Sequence, residues 1–399
     1  MGWLSELHRL PTSFSCTYSL RRPHQISFRC YRATSCPKRD LSVSLKAGHG
    51  SIAQTIRDSK MPVTVIASKP SPQEDVNQNH RFIDIGVNLT DPVFRGVYHG
   101  KNKHEDDFSA MLERSRLAGV KNMIITGGSL QESKHALDLA RQYGLYATVG
   151  CHPTRSKEFD RYHGGPDAYL LALDKLIEGH LSGKGRVVAI GECGLDYDRT
   201  HFASQEVQKK HFRSQLILAK KYHLPLFLHS RAAHEDFVRI LREEGFGEDG
   251  GRAVGAKGGV AHSFTGSKEE AIELMDMGFH ISVNGCSMKT EVNLEAVKVI
   301  RPDKLLLETD APWCSMTSTH ASKGRLDSLP ASLRSRYFPV GVKPESFVPG
   351  KAVKGRNEPS AIGGVAWVVH RLNEGVPFEK VTEKAYKNTI ELFALDEVP

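Results

Sequence analysis

The chain has 399 residues, of which 39% are hydrophobic and 25% charged, a balance that fits a folded globular protein and excludes an intrinsically disordered one. No stretch approaches the roughly 18 apolar residues of a membrane span, so no membrane role is expected. The net charge is +8, but residues 1–80 hold 11 Lys and Arg against 5 Asp and Glu, which leaves +2 for residues 81–399. The basic character is mostly a property of the first 80 residues and does not by itself make the rest a nucleic-acid binder.

In chain order, residues 1–80 read as a basic extension without a core. Between Met1 and Arg39 the sole acid is Glu6, while Arg and Ser recur and no secretory apolar run is present. That bias is the one of an organelle transit peptide. The alternatives are a plain disordered extension, or sequence upstream of a start at Met61. A plastid, mitochondrial, nuclear or cytosolic destination stays open.

From Arg81 the pattern becomes regular. Eight apolar, β-branched runs are predicted as strands: 82–87, 122–127, 146–150, 187–192, 225–229, 259–262, 280–284 and 305–310. Between them, segments such as "AMLERSRLAGV" and "FRSQLILAKKYHL" place apolar residues at helical spacing, with a charged opposite face. Two further helices are predicted at 360–373 and 378–393. Alternating strand and helix with strands buried on both faces implies a parallel sheet. Eight units favour a closed α/β TIM (β/α)8 barrel spanning 81–399, with an open eight-stranded sheet as the alternative. Residues 311–358 show no periodicity and read as a long loop leaving the last strand.

Four of these strands end in a metal-type ligand: "VVAIGE" in Glu192, "LPLFLH" in His229, "GGVAH" in His262 and "LLLETD" in Asp310. In a parallel barrel all strand C-termini open on one face, where active sites are built. Residues 37, 33 and 48 positions apart would therefore converge on one mouth. Each alone has an ordinary reading, as a helix cap, a hydrogen-bonded core histidine or a loop-starting Asp. Together they read as a hydrolytic metal centre. Two imidazoles and two carboxylates without thiolate suit Mg²⁺, Mn²⁺ or Zn²⁺. Bound there, such an ion lowers the pKa of water toward about 7 and neutralises phosphoryl charge. Asp310 is placed to accept the proton of the attacking water. Asp196 is expected to orient a ligand, with Arg199 and Arg231 meeting phosphates.

The seven cysteines include no C-x-x-C pair. Cys16, Cys30 and Cys36 fall in the extension, and Cys151, Cys193, Cys286 and Cys314 at or just past strand ends. They read as reduced thiols rather than a disulfide framework or thiolate zinc site. The Cys193 side chain is expected to point away from its neighbour Glu192.

The motifs "FIDIGVNLTD", "GCHPT", "VVAIGECGLDYDR", "LPLFLHSR", "HSFTG", "LLLETDAPW" and "RNEP", in that order from Phe82 to Phe393, resemble the TatD family of metal-dependent deoxyribonucleases, and within it the eukaryotic TatD DNase domain-containing group. The resemblance implies a barrel of the metal-dependent hydrolase, amidohydrolase-like type. It also implies a divalent-metal site on Glu192, His229, His262 and Asp310, and hydrolysis of DNA phosphodiesters, often as a 3′–5′ exonuclease. Many members carry His-x-His at the end of the first strand, where this chain has Gly86-Val87-Asn88. Oxygens of Asp84 and Asn88 are the candidates for a second metal there, so one or two ions are expected. In the family the position of His152 borders the active site, which implies phosphate contact or general-acid help.

His320 and Arg356 are further candidates for substrate contact, with a structural pairing role as the other reading of "RNEP", where Pro359 opens the next helix. Eight cations between Lys323 and Arg356 face only Asp327 and Glu345, a net of +6 at the catalytic mouth. Trp313 and Tyr337 offer stacking faces for a frayed base. DNA is the expected partner, single-stranded or at frayed 3′ ends, with RNA or tRNA behind it. Three rivals stand beside the nuclease reading: a D-aminoacyl-tRNA deacylase, a nucleic-acid-binding scaffold without catalysis, and a small-molecule zinc amidohydrolase. The last is disfavoured by the missing His-x-His.

Overall fold

The computed structural model describes residues 80–396, together with the strands Cys16–Leu20 and Ile26–Cys30, which pair antiparallel. The expected targeting-type character of residues 1–80 lies otherwise outside the described residues. Everything that concerns the site belongs to the unit Glu74–Pro399.

Eight strands, β1 (Phe82–Val87), β2 (Val120–Ile125), β3 (Tyr146–Val149), β4 (Val187–Asp196), β5 (Leu226–Arg231), β6 (Gly259–Ala261), β7 (His280–Val283) and β8 (Leu305–Leu307), form one sheet in chain order. Each is parallel to its successor. The two ends of the sheet then meet. Asp310 N–H donates to the Gly86 carbonyl at 2.9 Å, Asn88 N–H donates to the Ala311 carbonyl at 2.8 Å, and Val87 bridges Ala311 in parallel. The sheet therefore closes into a TIM barrel.

Strand alternation sorts the core into two layers. Ile83, Ile85, Val188, Phe227, Val260 and Leu306 fill the barrel interior, while neighbours such as Phe82, Val187, Leu226 and Leu307 face outward beneath the helices. The outer ring is α1 (Phe108–Leu117), α2 (Leu130–Tyr143), α3 (Gly165–Glu178), α4 (Gln205–Tyr222), α5 (His234–Glu243), α6 (Lys268–Asp276) and α7 (Glu291–Lys298). In α4, Phe212, Leu216 and Ala219 recur at helical spacing and are buried against the sheet. Each such buried side chain contributes roughly 1.5–3 kcal/mol, against about 0–1 kcal/mol for an exposed ion pair on the outer faces. Apolar burial thus decides the packing, and caps set where helices begin. In α6, Ser267 accepts from Glu270 N–H while the Glu270 carboxylate accepts from Ser267 N–H.

Two helices follow β8: α8 (Ile362–Leu372) and α9 (Phe378–Phe393). Tyr386, Leu392 and Phe393 of α9 continue the interior cluster at the strand-start end, and Asn388 Nδ2 donates to the carbonyls of Pro302 and Leu305. That end is plugged and the opposite mouth carries the chemistry.

The expectation of a structureless segment at 311–358 is corrected. It contains short helices, Lys323–Asp327 and Ala331–Tyr337, and a parallel pair, Gly341–Val342 with Ala352–Val353. Elements this short show no period in sequence, and tertiary contacts hold them. Tyr337, expected as a stacking face, is instead buried against α8, where a Cβ on Gly363 would stand 2.4 Å from its ring.

Candidate metal centre

Glu192, His229, His262 and Asp310 line one cavity of about 560 Å³ at the strand-end mouth, together with His152 and Asn88. Glu192 enters through an irregularity of β4, whose register against β5 shifts between Ile190 and Cys193. Gly191 makes this feasible. Its φ is +137°, and a Cβ there would fall 2.1 Å from the Phe227 carbonyl oxygen. Cys193, on the other side of Glu192, is fully buried in the outer core.

The Glu192 carboxylate is the hub. Its Oε1 lies 2.8 Å from His262 Nε2, 2.9 Å from His229 Nδ1 and 3.4 Å from His152 Nε2. Burial by itself would raise its pKa, but the facing imidazoles of His152 and His262, with hydrogen bonds from His229 and His262, hold it well below the usual carboxylate range. Burial likewise opposes charge on His262 and His229. Glu192 and Glu308 outweigh it at His262, Asp196 and Glu192 at His229, and both pKa values are raised.

Each imidazole is backed on its far side. His229 Nε2 faces Asp196 Oδ2 at 3.3 Å. His262 Nδ1 faces Glu308 Oε1 at 3.5 Å, and its ring stacks on Phe227. The Glu308 carboxylate also accepts from Ser263 N–H at 2.7 Å and from Asn284 Nδ2 at 2.9 Å. His152 differs. Its Nδ1 accepts the backbone N–H of Thr154 at 3.1 Å and lies 2.7 Å from the Thr154 hydroxyl, and its Nε2 points toward Glu192 in the cavity. Burial pushes its pKa down to about 3, which keeps it neutral.

Asp310 lies three residues beyond β8 at φ +53°. Its Oδ1 accepts from Asn88 Nδ2 at 2.8 Å and its Oδ2 from the Cys314 thiol at 3.2 Å. Burial pushes its pKa up to about 6.

The donors fit a divalent metal. Ligand atoms of His152, Glu192 and His229 all lie within 4.8 Å of one another. Around them, His229 Nε2, both Asp196 oxygens, His262 Nδ1 and Glu308 Oε2 are buried without a hydrogen-bond partner. Their approaches to one another have ion-pair distance but not hydrogen-bond geometry. So many unsatisfied buried polar atoms around one carboxylate are costly unless a cation organises them.

The remaining candidates divide. Arg199 and Arg231 line the cavity, are about half exposed and pair with Asp196 at 3.5 Å and Asp198 at 2.7 Å. The Arg231–Asp198 pair is exposed on both sides and worth about 0–1 kcal/mol, so a phosphate can replace that carboxylate, whereas Asp196 is buried. Asp84 does not reach the cavity. Its Oδ1 accepts from the N–H groups of Thr309 at 2.9 Å and Gly86 at 3.3 Å, and its Oδ2 from the Thr309 hydroxyl at 2.5 Å. It ties β1 to the end of β8, so the expected oxygen ligand for a second metal is corrected to a closure residue; Asn88 does line the cavity. Arg356 makes the structural pairing of its motif and is not a wall of the metal cavity: it is buried between Asp107 and Glu358, at 2.7 and 2.8 Å, and lines the apolar pocket on the far side of Trp313. His320 does not line the cavity. Within the basic run Lys323 and Arg334 share Asp327, while its other acid, Glu345, is taken by Lys103 from outside the run.

Sequence reasoning passed over Glu308. In "LLLETD" it sits two residues before Asp310, hence on the same side of the strand path, and that spacing was the available signal. Trp313 stands 55% exposed where the metal cavity meets a second cavity of about 610 Å³ and an apolar pocket of about 400 Å³ beside Tyr98 and Pro92.

Residues 83–394 match the family model described as TatD related DNase. The chain is 45% identical over 316 residues to a Schizosaccharomyces pombe protein named Deoxyribonuclease Tat-D, covering 79% of this chain and 96% of that one. It is 39% identical over 237 residues to a protein of Erwinia amylovora named 3′-5′ ssDNA/RNA exonuclease TatD, covering 58% and 80%. A crystal structure of an amidohydrolase from Saccharomyces cerevisiae superposes with a TM-score of 0.71 at 34% identity, over 79% of this chain and all of that one. In sequence and in fold, the chain belongs to the TatD-related DNase family.

Proposed function

We propose that this chain is a divalent-metal-dependent exonuclease that hydrolyses phosphodiester bonds at the ends of single-stranded DNA. The observation that carries it is the Glu192 hub with His229 and His262 around it and Asp310 on the same cavity wall. The naming of the bacterial relatives as 3′-5′ ssDNA/RNA exonucleases supports the polarity and leaves RNA as a second substrate.

Glu192, His229 and His262 would hold one ion, with Asp310 at its edge. Mg²⁺ or Mn²⁺ suits the carboxylates and Zn²⁺ the imidazoles. When bound, the ion supplies Lewis acidity at the phosphoryl group and acidifies water. Asp310, held by Asn88 and raised to about 6, accepts the proton of the attacking water. His152 presents a fixed Nε2–H to a phosphoryl oxygen or to the leaving oxygen. Arg199 and Arg231 exchange their carboxylate partners for flanking phosphates, and the exposed Trp313 offers a face on which a terminal base stacks.

The test is digestion of end-labelled single-stranded DNA by metal-stripped protein, with Mg²⁺, Mn²⁺ or Zn²⁺ restored, beside Glu192→Ala. Stepwise shortening that needs metal and vanishes in the variant is expected. Cleavage of D-aminoacyl-tRNA with intact DNA ends would establish the deacylase instead. DNA binding without cleavage under any metal would establish a scaffold.

A further inference from the structure

Between β1 and α1 the chain makes a short hairpin, Val97–Tyr98 against Lys101–Asn102, with His99-Gly100 as its turn. The hairpin is firmly seated. Lys103 N–H donates to the Gly96 carbonyl at 2.8 Å, and a Cβ on Gly96 would stand 2.1 Å from the His104 carbonyl oxygen. The His104 ring stacks on Phe347 with centroids 4.6 Å apart, and its Nε2 lies 3.3 Å from the Tyr98 hydroxyl. So anchored, Tyr98 lines the apolar pocket of about 400 Å³ beside the metal cavity.

Trp313 forms the partition between the two, since it lines both. Its backbone is tied to the end of β8. Trp313 N–H donates to the Asp310 carbonyl at 2.9 Å, and its own carbonyl accepts from Asn357 Nδ2 at 2.7 Å. The same Asn357 amide donates to the Thr309 carbonyl at 3.0 Å. An indole 55% exposed on so fixed a backbone is a contact face rather than a core side chain.

The pocket has a buried end at Pro312 and Arg356 and an exposed rim at Pro92 and the hairpin turn. Its volume lies within the range of small-molecule sites, roughly 300–1,000 Å³, enough for one nucleoside. Its charged groups are already engaged: Asp91 accepts from Val93 N–H at 2.9 Å, and Arg356 sits between Asp107 and Glu358. What it offers an occupant is aromatic and apolar surface. Outside the rim stand Lys101, next to Gly100, and Lys354, next to Gly355, both exposed and in no ion pair among the described residues. That surrounding suits an apolar group joined to a phosphate. The other flank of the metal cavity differs, being lined by Thr90, Ser129, Gln131 and Glu132.

We propose that the pocket between Tyr98 and Trp313 is a nucleobase subsite, which takes the terminal base of the DNA strand whose last phosphodiester lies at the metal centre. It rests on the nuclease reading and adds a requirement to it. A base must leave its stack to enter, and that is easiest at a single-stranded or frayed end. The blind end at Pro312 and Arg356 admits one nucleoside and no continuing strand, which favours release of single nucleotides.

The experiment measures binding of labelled single-stranded DNA to the metal-loaded full chain by fluorescence anisotropy. Phosphorothioate in the last linkages protects the DNA from cleavage, and its terminal residue is either intact or abasic. Loss of the terminal base should weaken binding about tenfold, the scale of one base–aromatic stack. Trp313→Ala should weaken binding of intact DNA about as much, and the abasic end should then cost nothing more. Trp313→Phe should recover most of the loss, and Tyr98→Leu should act in the same direction as Trp313→Ala. Trp313 is half exposed, so its truncation leaves the core intact. Losses from the abasic end and Trp313→Ala that multiply overturn the proposal, as does coupling of Trp313 to an interior base instead. If unprotected DNA is shortened while that coupling is missing, the subsite falls and the nuclease reading stands. Coupling in a protein that cleaves under no metal keeps the subsite and defeats the nuclease reading.

Discussion

The His152 ring turns its Nδ1 to the backbone N–H of Thr154, 3.1 Å away, and its Nε2 toward Glu192. While that amide donates to Nδ1 the proton of the neutral ring sits on Nε2, and the proposed role of His152 is that of a donor to the cavity, with ligation left to Glu192, His229 and His262. His152→Asn should therefore leave metal affinity essentially unchanged while kcat falls about 100-fold, the usual scale of a lost acid or hydrogen-bond donor. Calorimetric metal titration beside single-turnover cleavage separates the two. Loss of metal binding in this variant would make His152 a ligand after all.

Glu308 is fully buried behind His262. Glu308→Gln keeps an acceptor for Ser263 and Asn284 but removes the negative charge that His262 Nδ1 faces. Metal affinity should drop about 10–100-fold, as it does when a partner behind a metal-binding histidine is removed. Competition against a chromophoric chelator reads this directly, and an unchanged affinity would refute the coupling. Gly86→Ala should act on the same group, since its Cβ would stand 2.9 Å from Glu308 Oε2.

Arg356 bridges Asp107 and Glu358 in a network that Arg114 completes from α1. Arg356→Met leaves two buried carboxylates short of a cation, which costs about 3–5 kcal/mol. The loss should appear in urea unfolding, while the folded fraction binds single-stranded DNA as before. Weakened binding at unchanged stability would restore the reading of Arg356 as a substrate contact.

His280, 9% exposed at the start of β7, has its pKa pushed down to about 4 by burial, with Lys304 and Arg252 adding repulsion. The folded state keeps it neutral, whereas the unfolded chain protonates it near about 6.5. Its contribution is complete above that value, declines as pH falls toward about 4 and is constant below, for a total of about 3 kcal/mol. Denaturation midpoints measured from pH 7 to 4 should fall less steeply in His280→Gln. Parallel curves for the two proteins would exclude the histidine as the cause.

The four candidate ligands were legible because each closes a run that begins apolar, and parallel strands bring such ends together whatever the distance along the chain. Glu192, His229, His262 and Asp310 line one cavity, as that rule leads one to expect. Asp84 and Arg356 do not: their residue types match phosphate or metal chemistry, yet Thr309 and Gly86 engage the oxygens of the first, and Asp107 and Glu358 bury the second. A pairing of residues 225 or 249 positions apart leaves no periodic trace.

Hydrophobic period and turn residues, both local, determined the alternation of strands and helices in this chain, the parallel barrel and the face on which its chemistry gathers. Only the tertiary structure decided which polar groups share a cavity. Desolvation and hydrogen bonding act over a few ångströms of space, and there Glu308 backs His262, Asp196 backs His229, and Thr154 meets Nδ1 of His152.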